Sequence, residues 1–382
     1  MRNTRILGIV AAVAACAMML AAAPVAHAED AVRIAVGAPL TGPLARQGQE
    51  VANAVKLAAQ EWNAKGGVLG AKVEVVEADD QGNPQVGVAA GEKVASDPAI
   101  LGAVWGITSV TCIPVSEALD RVGMVMITPG CSNPKVTDRG LKTVERICAR
   151  DDLQGPAGIA FAIRELHARK IAIFDDGTVG PRGGADEAEK TARAMGVTPL
   201  RYVVRSGDKD FRAILETVPK DIDVVFSTLW APDAALLAKQ MPDVGLNVHI
   251  VGPDSEFEPV DYVQAAAGAA EGNYVTFFAP DMTKVPAAVD FVKAYEAKYG
   301  QISSYGPLAY EAANILLTAI RTADKRDRAA IAAAVRATRD YRGILGFPIT
   351  FDDKGDIKGA QVYIYQVKGD GFVFLRGISV NG

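Results

Sequence analysis

Apolar runs alternate with helix-period stretches through the first half of the chain. The residues Val51, Ala54, Val55, Ala58 and Trp62 recur at helical spacing and stop before Gly66-Gly67, which predicts a helix that ends there. The apolar runs predict strands over residues 32–39, 72–78, 100–105, 122–128 and 144–148. This order of strand and helix indicates a parallel sheet covered by helices on both faces.

The same alternation resumes in the second half of the chain. Further strands are predicted over residues 170–174, 197–204, 223–228 and 248–252. A chain of 382 residues is longer than one hydrophobic core usually serves. No low-complexity linker separates the halves, which indicates several short crossings instead of one flexible tether. The sequence therefore predicts an α/β protein of two Rossmann-like, three-layer lobes.

The N-terminus has the pattern of a secretory signal. Two arginines precede an apolar run over residues 6–25, and Ala26-His27-Ala28 has the small-x-small form of a cleavage site. This predicts a signal peptide over residues 1–28. The Ala-rich run with its cleavage signature favours export over a membrane anchor, and its continuation past Cys16 favours cleavage over lipidation.

Composition narrows the function classes. The formal net charge is −5, and no stripe of Lys and Arg interleaved with aromatics is present, so nucleic acid is not expected as a partner. Beyond the predicted signal only His167 and His249 remain, which leaves little material for histidine-based catalysis or a His-rich metal site. We expect neither a cofactor nor a metal.

Three cysteines follow the predicted signal: Cys112, Cys131 and Cys148. An oxidising compartment favours one disulfide and one free thiol. Because Cys131 and Cys148 each follow a predicted strand end in neighbouring units, we predict that these two are paired. Three unpaired thiols are the alternative that spacing alone leaves open.

Polar residues follow three predicted strands, where open parallel sheets bind ligands. These places are Gly106-Ile107-Thr108-Ser109, Thr128-Pro129-Gly130-Cys131-Ser132 and Gly252-Pro253-Asp254. A predicted helix follows Ser109, and free amides at a helix start together with the two hydroxyls can hold a carboxylate or phosphate. The competing interpretations are ordinary: Ser109 as a helix cap, Ser132 in a turn, and Asp254 as a surface aspartate.

Several motifs in order resemble the leucine/isoleucine/valine-binding family of type I periplasmic binding proteins. The matching segments, which span nearly the whole mature chain, are Gly37-Ala38-Pro39-Leu40-Thr41-Gly42-Pro43, Asn63-Ala64-Lys65-Gly66-Gly67, Asp79-Asp80, Gly106 with Ser109, Ile127-Thr128-Pro129, Asp152-x-Gln154-Gly155, Gly252-Pro253 and Phe351-Asp352-Asp353-Lys354-Gly355-Asp356. The resemblance implies a non-enzymatic periplasmic protein that binds an amino acid for an ABC importer.

The resemblance also implies roles for individual residues. A zwitterion taken out of water needs both of its charges matched by hydrogen bonds. The implied carboxylate group is Ser109, Thr108 and neighbouring amides; the implied ammonium group is the Gly130 carbonyl, the Ser132 hydroxyl and Asp254; the implied side-chain pocket is Gln47, Ile107, Trp230 and Tyr305. Trp230 also fits a half-buried packing residue, and Tyr305 a simple loop residue.

The chain departs from the family at the side-chain end of this pocket. Val179-Gly180-Pro181 stands where a tyrosine is often present, and Gln47 stands where an aromatic would flank the pocket. Gly82 and Thr108 occupy the places expected for the family's disulfide cysteines, so that disulfide is expected to be absent. Because of these departures, the sequence does not determine which ligand side chain the pocket prefers.

The implied mechanism is hinge closure. The ligand would dock on the first lobe through Ser109, Gly130 and Ser132, and Trp230 and Asp254 would close over it, giving a shape that a membrane permease reads. The family implies three crossings, near Arg150, Phe277 and Gln361. The expected domains are residues 29–149 plus 278–360 and residues 150–277 plus 361–382, and a monomer is expected.

Three other functions are alternatives to this interpretation. An amine-free carboxylate such as an aromatic acid could replace the amino acid, although it would leave Asp254 facing an uncharged group. A secreted hydrolase is disfavoured, because the chain lacks a Gly-x-Ser-x-Gly elbow and a histidine after a convincing strand end. A sensor role would need a separate signalling partner.

Overall fold

A computed structural model describes residues 31–379 and places the first five strands in one parallel sheet. Its strands are β1 (Val32–Ala38), β2 (Val73–Asp79), β3 (Ile100–Trp105), β4 (Val125–Thr128) and β5 (Val144–Arg146), in the spatial order β2-β1-β3-β4-β5. Every residue of β3 and β4 is buried, as expected of parallel strands covered on both faces.

The helices of the first lobe come from two separate parts of the chain. Those between its strands are α1 (Ala45–Ala64), α2 (Pro84–Ser96) and α3 (Ser109–Asp120). After the second sheet the chain returns with α8 (Val289–Tyr299), α9 (Gly306–Ala323) and α10 (Arg328–Arg336). Helix α9 packs on α1 and β3, and α10 on β3 and β4, so this late segment completes the core of the first lobe.

The second lobe contains a sheet of seven strands. They are β6 (Ile171–Asp175), β7 (Leu200–Val203), β8 (Val224–Ser227), β9 (His249–Gly252), β10 (Tyr274–Phe277), β13 (Gln361–Lys368) and β14 (Gly371–Ser379), in the order β14-β13-β10-β9-β8-β6-β7. The main helices of this lobe are α4 (Asp151–Arg164), α5 (Val179–Ala194), the short α6 (Arg212–Leu215) and α7 (Ala231–Gln240). A small hairpin of β11 (Tyr341–Arg342) and β12 (Pro348–Ile349) lies apart from both sheets.

The predicted fold class is confirmed, with one departure. Strand β13 pairs antiparallel with both β10 and β14, so the second sheet is mixed where the sequence predicted a parallel one. The chain passes from the first sheet to the second after β5, returns after β10, and passes over again before β13. The predicted signal peptide, residues 1–28, lies outside the described residues. Within residues 31–379 no helix combines the length and apolarity that a membrane span requires.

The helix predicted to stop before Gly66-Gly67 does so for a steric reason. Helix α1 ends at Ala64, and both glycines have positive φ, 99° and 79°. A Cβ on Gly67 would lie 1.9 Å from the Ala71 carbonyl oxygen, so a larger residue would not fit there.

The predicted disulfide between Cys131 and Cys148 is wrong. Cys112 pairs with Cys131, and Cys148 is a buried free thiol. Cys112 and Cys131 lie in the same apolar cluster, whereas Cys148 packs in a different one. Helix α3 turns Cys112 back toward the loop after β4, and Gly106 makes this possible, because a Cβ there would lie 2.4 Å from the Cys112 sulfur.

A buried ion pair holds the same loop from its other side. Arg146 is fully buried and donates to Asp356 at 2.7 Å, and also to the carbonyls of Cys131 and Asn133 at 3.0 and 2.8 Å. Positive charge on Arg146 keeps the pKa of Asp356 below its usual value, although burial acts in the opposite direction. The pair therefore fixes the loop that carries Ser132.

Asp356→Ala should lower the free energy of unfolding by about 3 to 5 kcal/mol, because it leaves the Arg146 guanidinium buried without its counter-charge. Urea denaturation of the purified protein measures this. Asp353→Ala, at an exposed position in the same turn, is the control and should change stability by less than about 0.5 kcal/mol. Equal loss in the two variants would contradict the role given to the buried pair.

Candidate ligand-binding site

A cleft lies between the two lobes at the carboxyl ends of their strands. It encloses about 520 Å³ of empty space, counting its open mouth. The first lobe lines it with Ile107, Ser109, Gly130 and Ser132, and the remaining walls are Asp151, Gln154, Gly155, Gly180, Pro181, Gly184, Phe226, Thr228, Trp230, Pro253, Asp254 and Ser255. The three strand ends chosen from sequence therefore meet in one cavity.

The start of helix α3 forms one wall of the cleft. Ser109 is the first residue of the helix, and Thr108 occupies the cap position without a side-chain capping bond. The Ser109 hydroxyl accepts a hydrogen bond from the Asn133 amide at 3.2 Å, so it is not used as a cap. The first amides of a helix have no carbonyl partner one turn earlier. This wall therefore offers hydrogen-bond donors for an anion.

Thr108 lies on the other side of that helix start. Its hydroxyl is 2.9 Å from the Thr111 hydroxyl, and the residue lines a neighbouring cavity instead of the cleft. Of the two hydroxyls expected at a ligand carboxylate, the structure brings only that of Ser109 into the cleft.

Two carboxyl groups line the same cleft. Asp254 follows β9, and Asp151 is the first residue of α4, directly after the passage from the first sheet. Both side chains are buried, at 5% and 6% exposure for the whole residues. The Tyr305 hydroxyl donates to Asp254 at 2.5 Å, whereas Asp151 Oδ2 has no hydrogen-bond partner within the described chain.

Burial makes both groups weaker acids than usual. It raises the pKa of Asp254 to about 7, with a further rise from the charge of Asp151, against the lowering effect of the Tyr305 hydroxyl. Burial likewise raises the pKa of Asp151 to about 6, opposed by the Ser132 hydroxyl and the charge of Arg146. No basic side chain lines the cleft, so a cation that enters it would meet two carboxyl groups and no competing cationic side chain in the lining.

The residues expected at the ligand side chain divide into two pairs. Ile107 and Trp230 line the cleft, as expected. Tyr305 is fully buried behind it, with its ring against Gly130, where a Cβ would lie 2.6 Å from the ring. Gln47 donates to the Ser255 carbonyl at 3.4 Å and does not reach the cavity. Both residues connect the lobes behind the cleft.

Sequence reasoning missed Asp151, Gln154 and Gly184 as lining residues, whereas Gly180 belongs to the segment that it placed at the side-chain end of the pocket. The signal for Asp151 was present, since it follows the predicted strand over residues 144–148 and opens a helix. Its proximity to Asp254 was not predictable, because the two residues are about 100 positions apart in the chain. Within residues 31–379 no group of three or more His, Cys, Asp or Glu side chains is placed to hold a metal ion.

Two hinged α/β lobes with a polar cleft at their strand ends define a solute-binding protein. The chain belongs to the periplasmic binding protein family, whose model matches residues 31–371. It is 34% identical over 350 residues to the Leu/Ile/Val-binding protein BraC3 of Rhizobium johnstonii, covering 91% of this chain and 94% of that protein. Membership of this family implies an extracytoplasmic location.

Solved structures of binding proteins superpose on nearly the whole chain. The leucine-binding protein LivK of Thermotoga maritima superposes with a TM-score of 0.85 at 29% identity, covering 91% of this chain and 99% of that one. An ABC transporter substrate-binding protein of Desulfitobacterium hafniense in complex with Leu superposes with a TM-score of 0.75 at 26% identity, covering 91% and 100%.

Tyr305→Phe should raise the pKa of Asp254 above about 7, because it removes the hydroxyl that stabilises the ionised carboxylate. NMR titration of carboxyl carbons in protein labelled at aspartate measures this. Tyr202→Phe, at the far edge strand of the second sheet, is the control and should leave that titration unchanged. An unchanged or lower value in Tyr305→Phe would contradict the hydrogen bond described above.

Proposed function

We propose that this protein binds an amino acid between its lobes and delivers it to the permease of an ABC importer. The observation that carries the proposal is that two buried carboxyl groups, Asp151 and Asp254, line the same cleft as the start of helix α3. A zwitterion matches this arrangement, because its ammonium and its carboxylate both find partners in one cleft. The names of the related proteins support the same class of ligand.

Each group of the ligand has an assigned partner. The ligand carboxylate accepts hydrogen bonds from the Ser109 hydroxyl and the first amides of α3, where the helix dipole adds a favourable term. The ammonium donates to the Gly130 carbonyl, the Ser132 hydroxyl and Asp254, and we add Asp151 to this group. Ile107 and Trp230 contact the ligand side chain.

Closure follows from the division of these partners between lobes. Ser109, Gly130 and Ser132 belong to the first lobe, and Trp230 and Asp254 to the second, so only the closed form presents all of them to one ligand. A ligand that binds the closed form better shifts the population toward it. We propose domain limits of 29–149 plus 278–360 and 150–277 plus 361–382, with crossings near Arg150, Phe277 and Gln361.

The partners follow from this role. The closed form would be read by a membrane permease, and the binding protein would act as a non-enzymatic monomer in the periplasm after cleavage of residues 1–28. No nucleic acid and no cofactor take part. These statements are parts of the same proposal and are supported by family membership.

A second candidate ligand is an amine-free carboxylate. The Tyr305 hydroxyl already engages Asp254, and a carboxyl group with a pKa of about 7 is partly protonated near neutral pH. A protonated Asp254 could donate to an acid ligand instead of requiring a cation. The unpartnered oxygen of Asp151 argues for the amino acid, because it gains nothing from an anion.

Asp254→Asn should weaken binding of leucine roughly 30-fold, about 2 kcal/mol, because it removes a charge-assisted hydrogen bond to the ammonium. Ser109→Ala should weaken leucine binding by about tenfold, because it removes the hydroxyl that donates to the ligand carboxylate. Titration calorimetry with leucine measures both, and Asp221→Asn, on the exposed surface of the second lobe, is the control. Parent-like affinity for leucine in Asp254→Asn would refute the ammonium assignment, and tight binding of benzoate with no response to any amino acid would establish the second candidate.

The affinity for an amino acid should fall as the pH is lowered from 8 to 5. The ammonium binds the ionised carboxylates, whose pKa values are about 7 and 6 when they are buried as in this structure, so each must lose its proton for the ligand to bind there. The decrease approaches about tenfold per pH unit for each proton released. Calorimetry across this range, in buffers of different ionisation enthalpy, measures affinity and proton release together. An amine-free acid would show the opposite trend.

A further inference from the structure

One wall of the cleft is formed by glycines of helix α5. Gly180 and Gly184 both line the cavity, and neither has a positive φ, so the backbone would accept any residue there. A Cβ on Gly180 would meet no atom within 4 Å, and one on Gly184 would meet only the Thr228 methyl, at 3.5 Å. The absence of side chains therefore leaves open space beside the head-group partners.

A second cavity lies next to this space. Ser109, Gly180, Pro181 and Trp230 line both cavities, so the two are adjacent and share a wall. The outer cavity encloses about 980 Å³ of empty space, counting its open mouth. Its walls include the apolar residues Leu44 and Pro232, one from each lobe, beside the charged residues Asp176, Lys209 and Asp233. A ligand group that extends past Gly180 would meet a surface that is more apolar than polar.

The other direction is filled by protein. The Tyr305 ring packs on Gly130 and its hydroxyl reaches Asp254, while Gln47 bonds to the backbone of Ser255. A side chain directed toward these residues would have to displace a fully buried tyrosine. The described side chains leave space for a ligand group past the glycines of α5.

We propose that the ligand is an amino acid with a side chain larger than that of leucine and mostly apolar, which passes Gly180 and Trp230 into the outer cavity. This inference rests on the proposed function and specifies its ligand class. Aromatic side chains fit best, because Trp230 stands at the junction of the cavities and aromatic rings pack well on one another. Phenylalanine is the probe.

Titration calorimetry of the parent with alanine, leucine and phenylalanine is the first experiment. Phenylalanine should bind at least about threefold tighter than leucine, because more apolar surface leaves water. Leucine binding as tightly as phenylalanine would overturn the inference and leave the proposed function standing. If none of the three amino acids bound while benzoate did, the proposed function would fail and the inference with it.

Two variants then locate the side chain. Gly180→Val narrows the passage, and Leu44→Trp fills the outer cavity away from the head-group partners. Each variant should weaken the binding of phenylalanine at least about tenfold and keep the affinity for alanine within about twofold of the parent value. Ala194→Val places the same side chain at an exposed position of α5 and should change neither affinity. Parent-like affinity for phenylalanine in Gly180→Val, or an equal loss for alanine and phenylalanine, would overturn the route.

Discussion

The burial of negative charge between the lobes is the constraint on which the site depends. Asp151 and Asp254 lie near the surface where the lobes meet and face a cavity that no basic side chain lines. Removing carboxylates from water without a counter-charge is unfavourable, and the raised pKa values of both groups express that. In an open form water would solvate them. Closure around a cation is therefore favoured over closure around an empty cleft.

The groups that meet the ligand are positioned by interactions of the first lobe. The disulfide between Cys112 and Cys131 joins helix α3 to the loop after β4, so the Ser109 wall and the Gly130–Ser132 loop are connected covalently. Arg146 holds the same loop through two of its carbonyls and is itself paired with Asp356. Both interactions act on one side of the cleft, which suits a lobe that receives the ligand first.

The sequence predicted those features that depend on neighbours along the chain. Buried parallel strands read as continuous apolar runs, so β3 was predicted with its observed ends, and strand ends identified the site. The disulfide was not predictable in this way, because helix α3 brings Cys112 to Cys131 only through a turn that depends on Gly106. Nor were the antiparallel pairing of β13 and the bond from Tyr305 to Asp254, which joins positions 51 residues apart.

Polar and apolar contacts both join the lobes outside the cleft. The polar ones include Gln47 to Ser255, Asn133 to the Val179 carbonyl at 3.3 Å, and a half-exposed ion pair of Arg46 with Asp261. One apolar cluster contains Phe277 and Tyr365 of the second lobe together with residues of the first. An exposed ion pair contributes at most about 1 kcal/mol. A ligand shifts the balance between open and closed forms only by its differential affinity for them. Tyr305 makes that balance depend on charge, because its bond across the lobes ends on Asp254, the carboxylate that we propose for the ligand ammonium.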